Sequence, residues 1–249
     1  ALLQIRAQVV NDGSTAENVG VLHKIYDRDG KLVSTSGIAL YLEPGESSDC
    51  MVRPTVEAPH LWTDEDPYLY TLVSTVVADG RELDSFTCKT GIRTAVFDAD
   101  RGFLLNGGTV KIKGMCVHHD CGLTGAVGYR ESWERRLKEL KDMGCNGIRC
   151  SHNPPAPVLL DLCDELGFLV MDEAFDEWLL AKNKTDNYYS ESLAYGSSMF
   201  FTNHAKEDLT AMLRRDYNHP SVVIWSIGNE IPEQSSVDGV KILKFLQDI

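Results

Sequence analysis

Residues Val222 to Ile227 form a run of β-branched, aromatic and aliphatic side chains that opens just after Pro220 and stops at Gly228-Asn229-Glu230. A short segment this apolar, bounded by a proline and a glycine, reads as a strand buried on both faces, which is how strands of parallel sheets are found. Its polar residues stand at the C-terminal end. In a parallel barrel that end carries the chemistry, so a carboxylate beside an amide has the form of an acid and a neighbour that positions its substrate. The competing reading is a carboxylate that only caps the following loop.

The same pattern repeats upstream. From Phe97 onward strand-like runs alternate with helical periodicity, which implies βαβ units. Val110 to Met115 reads as a strand leading into Cys116-Val117-His118-His119-Asp120-Cys121, and a helix follows from about Ser132 to Met143, ended by Gly144. Asn146 to Cys150 is the second strand, tipped by Ser151-His152-Asn153, and prolines open a helix with Leu159, Leu162 and Cys163 on one face and Gly167 at its end. Phe168 to Met171 is the third strand and runs into Asp172-Glu173. A long polar connection from Phe175 to about Thr202 carries Trp178, Tyr188, Tyr189 and Tyr195, whose aromatics suit either stacking on sugar rings or packing the loop. A helix from about Asn203 to Asn218, the Val222 strand and a helix starting near Val237 complete the series. Four strand-helix units make half of an eight-stranded barrel. All four strands end in polar groups, and that repetition at one face is the pattern of an active-site rim.

Leu2 to about Val96 has a different texture. Short alternating runs are separated by Asp27-Arg28-Asp29-Gly30, Pro44-Gly45 and Asp79-Gly80, and about seven strands without helical periodicity predict an antiparallel sandwich of immunoglobulin type. His23 and His60 are expected at the surface or in loops. The expected architecture is therefore a multidomain β plus α/β chain, with an immunoglobulin-like β-sandwich at 1–96 and a partial (β/α)8 barrel of four units at 97–249.

A formal net charge of −13 argues against a general affinity for nucleic acid or an anionic membrane, whose phosphates it repels. No apolar run reaches the ~18 residues of a membrane span. The seven cysteines are odd in number and irregular in spacing, so no disulfide framework is expected and no compartment is assigned by them. Cys116, His118, His119, Asp120 and Cys121 offer zinc-type ligands, but no second paired cluster accompanies them. The chain opens without Met inside a strand-like run and is read as a piece of a longer protein.

Lys113-Gly114 leading to His118, Ile148 through Pro154, Asp172-Glu173-Ala174, and His219-Pro220-Ser221 through Trp225-Ser226-Ile227-Gly228-Asn229-Glu230 together resemble glycoside hydrolase family 2, and within it the β-galactosidases. Leu61-Trp62, Pro67-Tyr68-Leu69-Tyr70 and Gly91-Ile92-Arg93 are similar to that family's immunoglobulin-like domain. The resemblance implies a carbohydrate substrate and hydrolysis of terminal β-D-galactosides with retention, by two carboxyl groups about 5 to 5.5 Å apart. It makes Glu230 the acid/base and sets Asn229 against the sugar's 2-hydroxyl. It gives His118 and His152 contacts to sugar hydroxyls, makes Arg149 a fixed charge near the nucleophile, and counts Asp172 among the substrate contacts. Asp172 and Glu173 have a second reading, as groups that bond strand-end loops or hold Arg149. Gly228 points to the galactosidase branch over the glucuronidase and mannosidase branches. The family's nucleophile has no counterpart in this chain, so the chain alone is expected to be inert and to self-associate through open barrel edges. Many relatives hold magnesium through a Glu and a His after the Asp-Glu-Ala motif. Here Glu177 matches the first, but Leu179 stands at the second, and no metal or other cofactor is expected.

Overall fold

The computed structural model describes residues 1–182 and 196–249, which divide into two compact units, Ala1–Thr94 and Ala95–Ile249. The first unit holds β1 (Ile5–Val10), β2 (Glu17–Tyr26), β3 (Leu32–Leu42), β4 (Ser47–Val52), β5 (Tyr70–Ala78) and β6 (Arg81–Thr90). β1 pairs with β4, and a four-stranded antiparallel sheet runs β3-β2-β5-β6. This is the immunoglobulin-like sandwich, with six strands and a Leu2–Thr55 bridge where about seven strands were expected. Asp79 and Gly80 join β5 to β6 with φ of 49° and 75°. A two-residue turn with both angles positive matches the twist of the strands it joins, which is why Asp-Gly stands there.

Val19, Val21, His23 and Ile25 alternate into the core along β2. His23 is thus a correction to the surface role expected of it. It is buried, its Nδ1 lies 2.8 Å from the Ser74 hydroxyl, and burial holds its pKa below the ordinary histidine value.

The second unit opens with a small antiparallel sheet of β7 (Ala95–Asp98), β8 (Gly102–Leu105) and β9 (Gly108–Thr109). It continues through β10 (Gly114–His118), α1 (Arg130–Asp142), β11 (Gly147–Ser151), α2 (Pro157–Leu166), β12 (Leu169–Glu173), α3 (Ser198–Asp216), β13 (Val222–Ser226) and α4 (Val237–Gln247). β10, β11, β12 and β13 lie side by side in chain order, all parallel, as four βα units of a partial barrel. β10 starts at Gly114, later than the apolar pattern suggested. β12 runs on through Asp172 and Glu173, because they pair in register with Trp225 and Ser226 of β13. α3 begins at Ser198, which shortens the expected connection, and Tyr188, Tyr189 and Tyr195 lie outside the described residues.

Strand alternation decides what each side chain faces. Val117, Ile148, Cys150, Val170 and Val222 point into a core completed by Trp133 and Leu137 of α1 and by Leu159, Leu160 and Cys163 of α2. Each large apolar side chain buried this way contributes about 1.5–3 kcal/mol before entropy is counted. A second cluster packs Phe175 and Trp178 against Phe201, Ala205 and Leu209 of α3, with Ile231 and Leu246. Trp178 is therefore a packing residue, and its indole N–H donates to the Ile227 carbonyl at 2.7 Å. Among the described residues no helix is long and apolar enough to cross a membrane.

Candidate active site

Because Ile148 and Cys150 face the helices, Arg149 between them faces the opposite side, and Glu173 does the same on β12. Their side chains meet there. Nε and Nη2 of Arg149 donate to both Glu173 oxygens at 2.8–3.0 Å. Burial lowers the guanidinium pKa, and the hydrogen bonds and charge of Glu173 and Cys116 more than offset this, leaving it above its ordinary value. Glu173 has no exposed surface, so its lone pairs must find their partners within the protein. Two further partners complete it: the Ser226 hydroxyl donates at 2.7 Å and His152 Nδ1 lies 2.8 Å away.

The remaining strand tips join this group. The rings of His118 and His152 stand edge to face with centroids 5.1 Å apart, and the peptide between Ser151 and His152 is cis. Arg149 Nη2 also donates to the Asn229 side-chain oxygen at 2.8 Å, linking β11 to the residues after β13. The amide nitrogen of Asn229 donates to Asp176 at 3.0 Å. Lys182 closes the set, donating to Asp176 at 3.0 Å and to the Asn229 carbonyl at 2.6 Å. Its ammonium stands 4.0 Å from the Glu230 carboxylate. Glu230 itself is largely open to solvent and has a left-handed backbone, φ 46°. A glutamate in that conformation is uncommon, and such residues concentrate where surrounding structure holds them for function.

Five of the six expected site residues thus gather at one end of the parallel sheet: His118, Arg149, His152, Asn229 and Glu230. Asp172 does not. Strand alternation turns it to the helix side with Val170, where it is wholly buried and neither oxygen has a well-formed hydrogen-bond partner. Nearby, Asp216 accepts two bonds from Arg215 at 2.6 and 2.7 Å. Burial, then the charge of nearby Asp216, push Asp172 up to about 7. A substrate on the rim does not reach it. Of the two readings of Asp172-Glu173, holding Arg149 describes Glu173.

The residues after the Asp-Glu-Ala motif do not fit a magnesium ion. Glu177 is buried, and its two oxygens accept from the backbone N–H groups of Lys182 at 2.8 Å and Ser198 at 2.9 Å. Its carboxylate fastens the two flanks of segment 183–195. A Cβ on Gly196 would come within 2.1 Å of it, so only glycine leaves room for this contact. Leu179 supplies no ligand atom.

Sequence reasoning missed Asp176, Lys182 and Ser226. Ser226 is the one with a readable signal, since it faces the same side as Ile224 and lies in register with Glu173. Asp176 and Lys182 lie in an irregular connection whose path no periodicity encodes.

Comparison with known proteins follows the same lines. Residues 97–246 match the model described as "Glycosyl hydrolases family 2, TIM barrel domain", and residues 1–93 match the model described as "Glycosyl hydrolases family 2". The chain is 46% identical to "Beta-galactosidase BoGH2A" of Bacteroides ovatus over 95% of its own length and 27% of that protein. It is 30% identical to a "Beta-glucuronidase" of Bacteroides fragilis over 77% of its length and 27% of the relative. Among solved structures, a glycosyl hydrolase family 2 member from Bacteroides cellulosilyticus superposes with a TM-score of 0.88 at 36% identity, covering 98% of this chain and 31% of that one. The chain spans about a quarter of the length of these curated relatives. With both halves of its sequence matched and its sandwich and partial barrel in place, the chain belongs to glycoside hydrolase family 2.

Proposed function

We propose that this chain supplies the acid/base side of a retaining exo-β-glycosidase that cleaves terminal β-D-galactosides. The observation that carries the reading is the convergence of Arg149, His152, Asn229 and the buried Glu173 around one end of the parallel sheet, with Glu230 following Asn229 directly. In this reading Glu230 protonates the departing oxygen and then takes a proton from the incoming water. Asn229 keeps one N–H and one lone pair beyond its bonds to Asp176 and Arg149, enough to bond a 2-hydroxyl more tightly as the transition state forms. His118 and His152 present ring edges to other hydroxyls.

The attacking carboxylate is proposed to lie outside this chain. Glu173 is enclosed by Arg149, His152 and Ser226, and Asp176 is held by Lys182 and Asn229, so neither is poised to attack an anomeric carbon. A neutral sugar is favoured over a uronate because Arg149 and Lys182, the described cations at the strand ends, already face carboxylates. The β-galactosidase name of the relative at 46% identity supports the same branch, and Gly228 is consistent with it. The test is a side-by-side assay of nitrophenyl β-galactoside, β-glucuronide and β-mannoside with the enzyme carrying the complete barrel. Galactoside turnover at least ten-fold above the others is expected; preference for the glucuronide would overturn the sugar assignment.

A further inference from the structure

The backbone of Asn229 is held from more directions than substrate binding requires. Its N–H donates to the Phe175 carbonyl at 3.0 Å, its side chain bonds Arg149 and Asp176, and its carbonyl accepts from Lys182 at 2.6 Å. That carbonyl belongs to the peptide joining Asn229 to Glu230. Fixing its plane restricts the rotation that sets Glu230 at φ 46°. The Glu230 side chain is 84% exposed, so no packing orients it and the backbone must. Lys182 is itself well anchored. Its side chain is only 19% exposed, its ammonium bonds Asp176 at 3.0 Å, and its own N–H is held by Glu177 at 2.8 Å.

We propose that Lys182 is a positioning residue for the acid/base. Its ammonium locks the Asn229–Glu230 peptide in the plane that aims the Glu230 carboxyl at the leaving-group oxygen, and its charge 4.0 Å away biases that carboxylate toward the same side. This rests on the assignment of Glu230 as proton donor. It goes beyond that assignment by placing control of proton delivery in the connection after β12. A proton donor displaced by an ångström loses much of its effect, whereas the bond cleavage itself is untouched when the departing group needs no proton.

The leaving group therefore separates the possibilities. In the complete enzyme, kcat/KM is measured for phenyl β-galactoside, whose phenolate leaves poorly, and for 2,4-dinitrophenyl β-galactoside, whose phenolate leaves without protonation. Lys182→Met is expected to lower the phenyl value roughly 10- to 100-fold and the dinitrophenyl value by less than about 3-fold. Lys182→Arg, which keeps an N–H donor, is expected to restore most of the phenyl activity. Lys182→Leu, which also lacks a donor, is read by the same ratio and serves where methionine does not yield folded protein. An equal fall on both substrates would show that Lys182 only supports the fold and would overturn the proposal. Glu230→Gln is the control: it should show the same leaving-group dependence, more strongly. If it does not, the acid/base assignment fails; if it does and the Lys182 variants show none, only the positioning role fails.

Discussion

The guanidinium of Arg149 and the carboxylate of Glu173 meet through three hydrogen bonds of 2.8–3.0 Å on adjacent parallel strands, and the carboxylate has no exposed surface. A buried carboxylate bonded by this many donors holds its partners in fixed geometry. The pair is therefore the floor of the site. Arg149 carries Asn229 on one side, and Glu173 carries His152 on the other.

Removing Glu173 should be costly to folding. Glu173→Ala leaves the half-buried charge of Arg149 without its counterion and frees His152 and Ser226, with an expected loss of about 2–4 kcal/mol, just under the range for wholly buried pairs because Arg149 is partly exposed. Urea denaturation of the chain measures it. A change below about 0.5 kcal/mol would mean that solvent replaces the carboxylate freely.

Asp172 makes stability depend on pH in a defined direction. Its pKa is raised from the ordinary 3.8 to about 7 in the folded state, so between those values the folded protein holds a proton that the unfolded chain has released. The folded state then binds more protons, and stability falls as pH rises through that window. Each pH unit is worth up to about 1.4 kcal/mol. Asp172→Asn keeps the shape without the charge, so thermal melts from pH 4 to 8 should show a flatter profile for the variant. Parallel profiles would contradict the buried pair.

The described sheet leaves β10 and β13 each paired on one side only. Open edges offer unpaired N–H and C=O groups, and Met115 on β10 and Trp225 on β13 are partly exposed beside them. The isolated chain is expected to scatter light as dimers or larger species and to show no turnover of a chromogenic galactoside, since losing one member of a cooperating carboxyl pair removes most of the rate. A monodisperse monomer would contradict the first expectation, and turnover after rigorous removal of host enzyme the second.

Much of the fold and of the candidate site is legible in the sequence. Leu169 to Met171 and Val222 to Ser226 announce parallel strands by apolar runs alone, although only Val222 of the second is fully buried and Trp225 is exposed, against the expectation of burial on both faces. Asn229 and Glu230 follow that run, and Arg149 lies within its strand. What escaped was orientation. Asp172 and Glu173 are adjacent and alike in charge, yet a period of two sends one to the helices and the other to the rim. His23 escaped because its type suggested a surface position, although its spacing from Val21 and Ile25 placed it inside. Lys182 and Asp176 escaped because an irregular loop carries no period to follow.

The direct test of Glu230 as acid/base uses Glu230→Ala in the complete enzyme with 2,4-dinitrophenyl β-galactoside and added azide. The substrate loads the enzyme without an acid, and azide attacks the glycosyl-enzyme without a base. The account predicts that azide restores turnover and yields β-galactosyl azide. Absence of rescue, or an α-azide product, would contradict it.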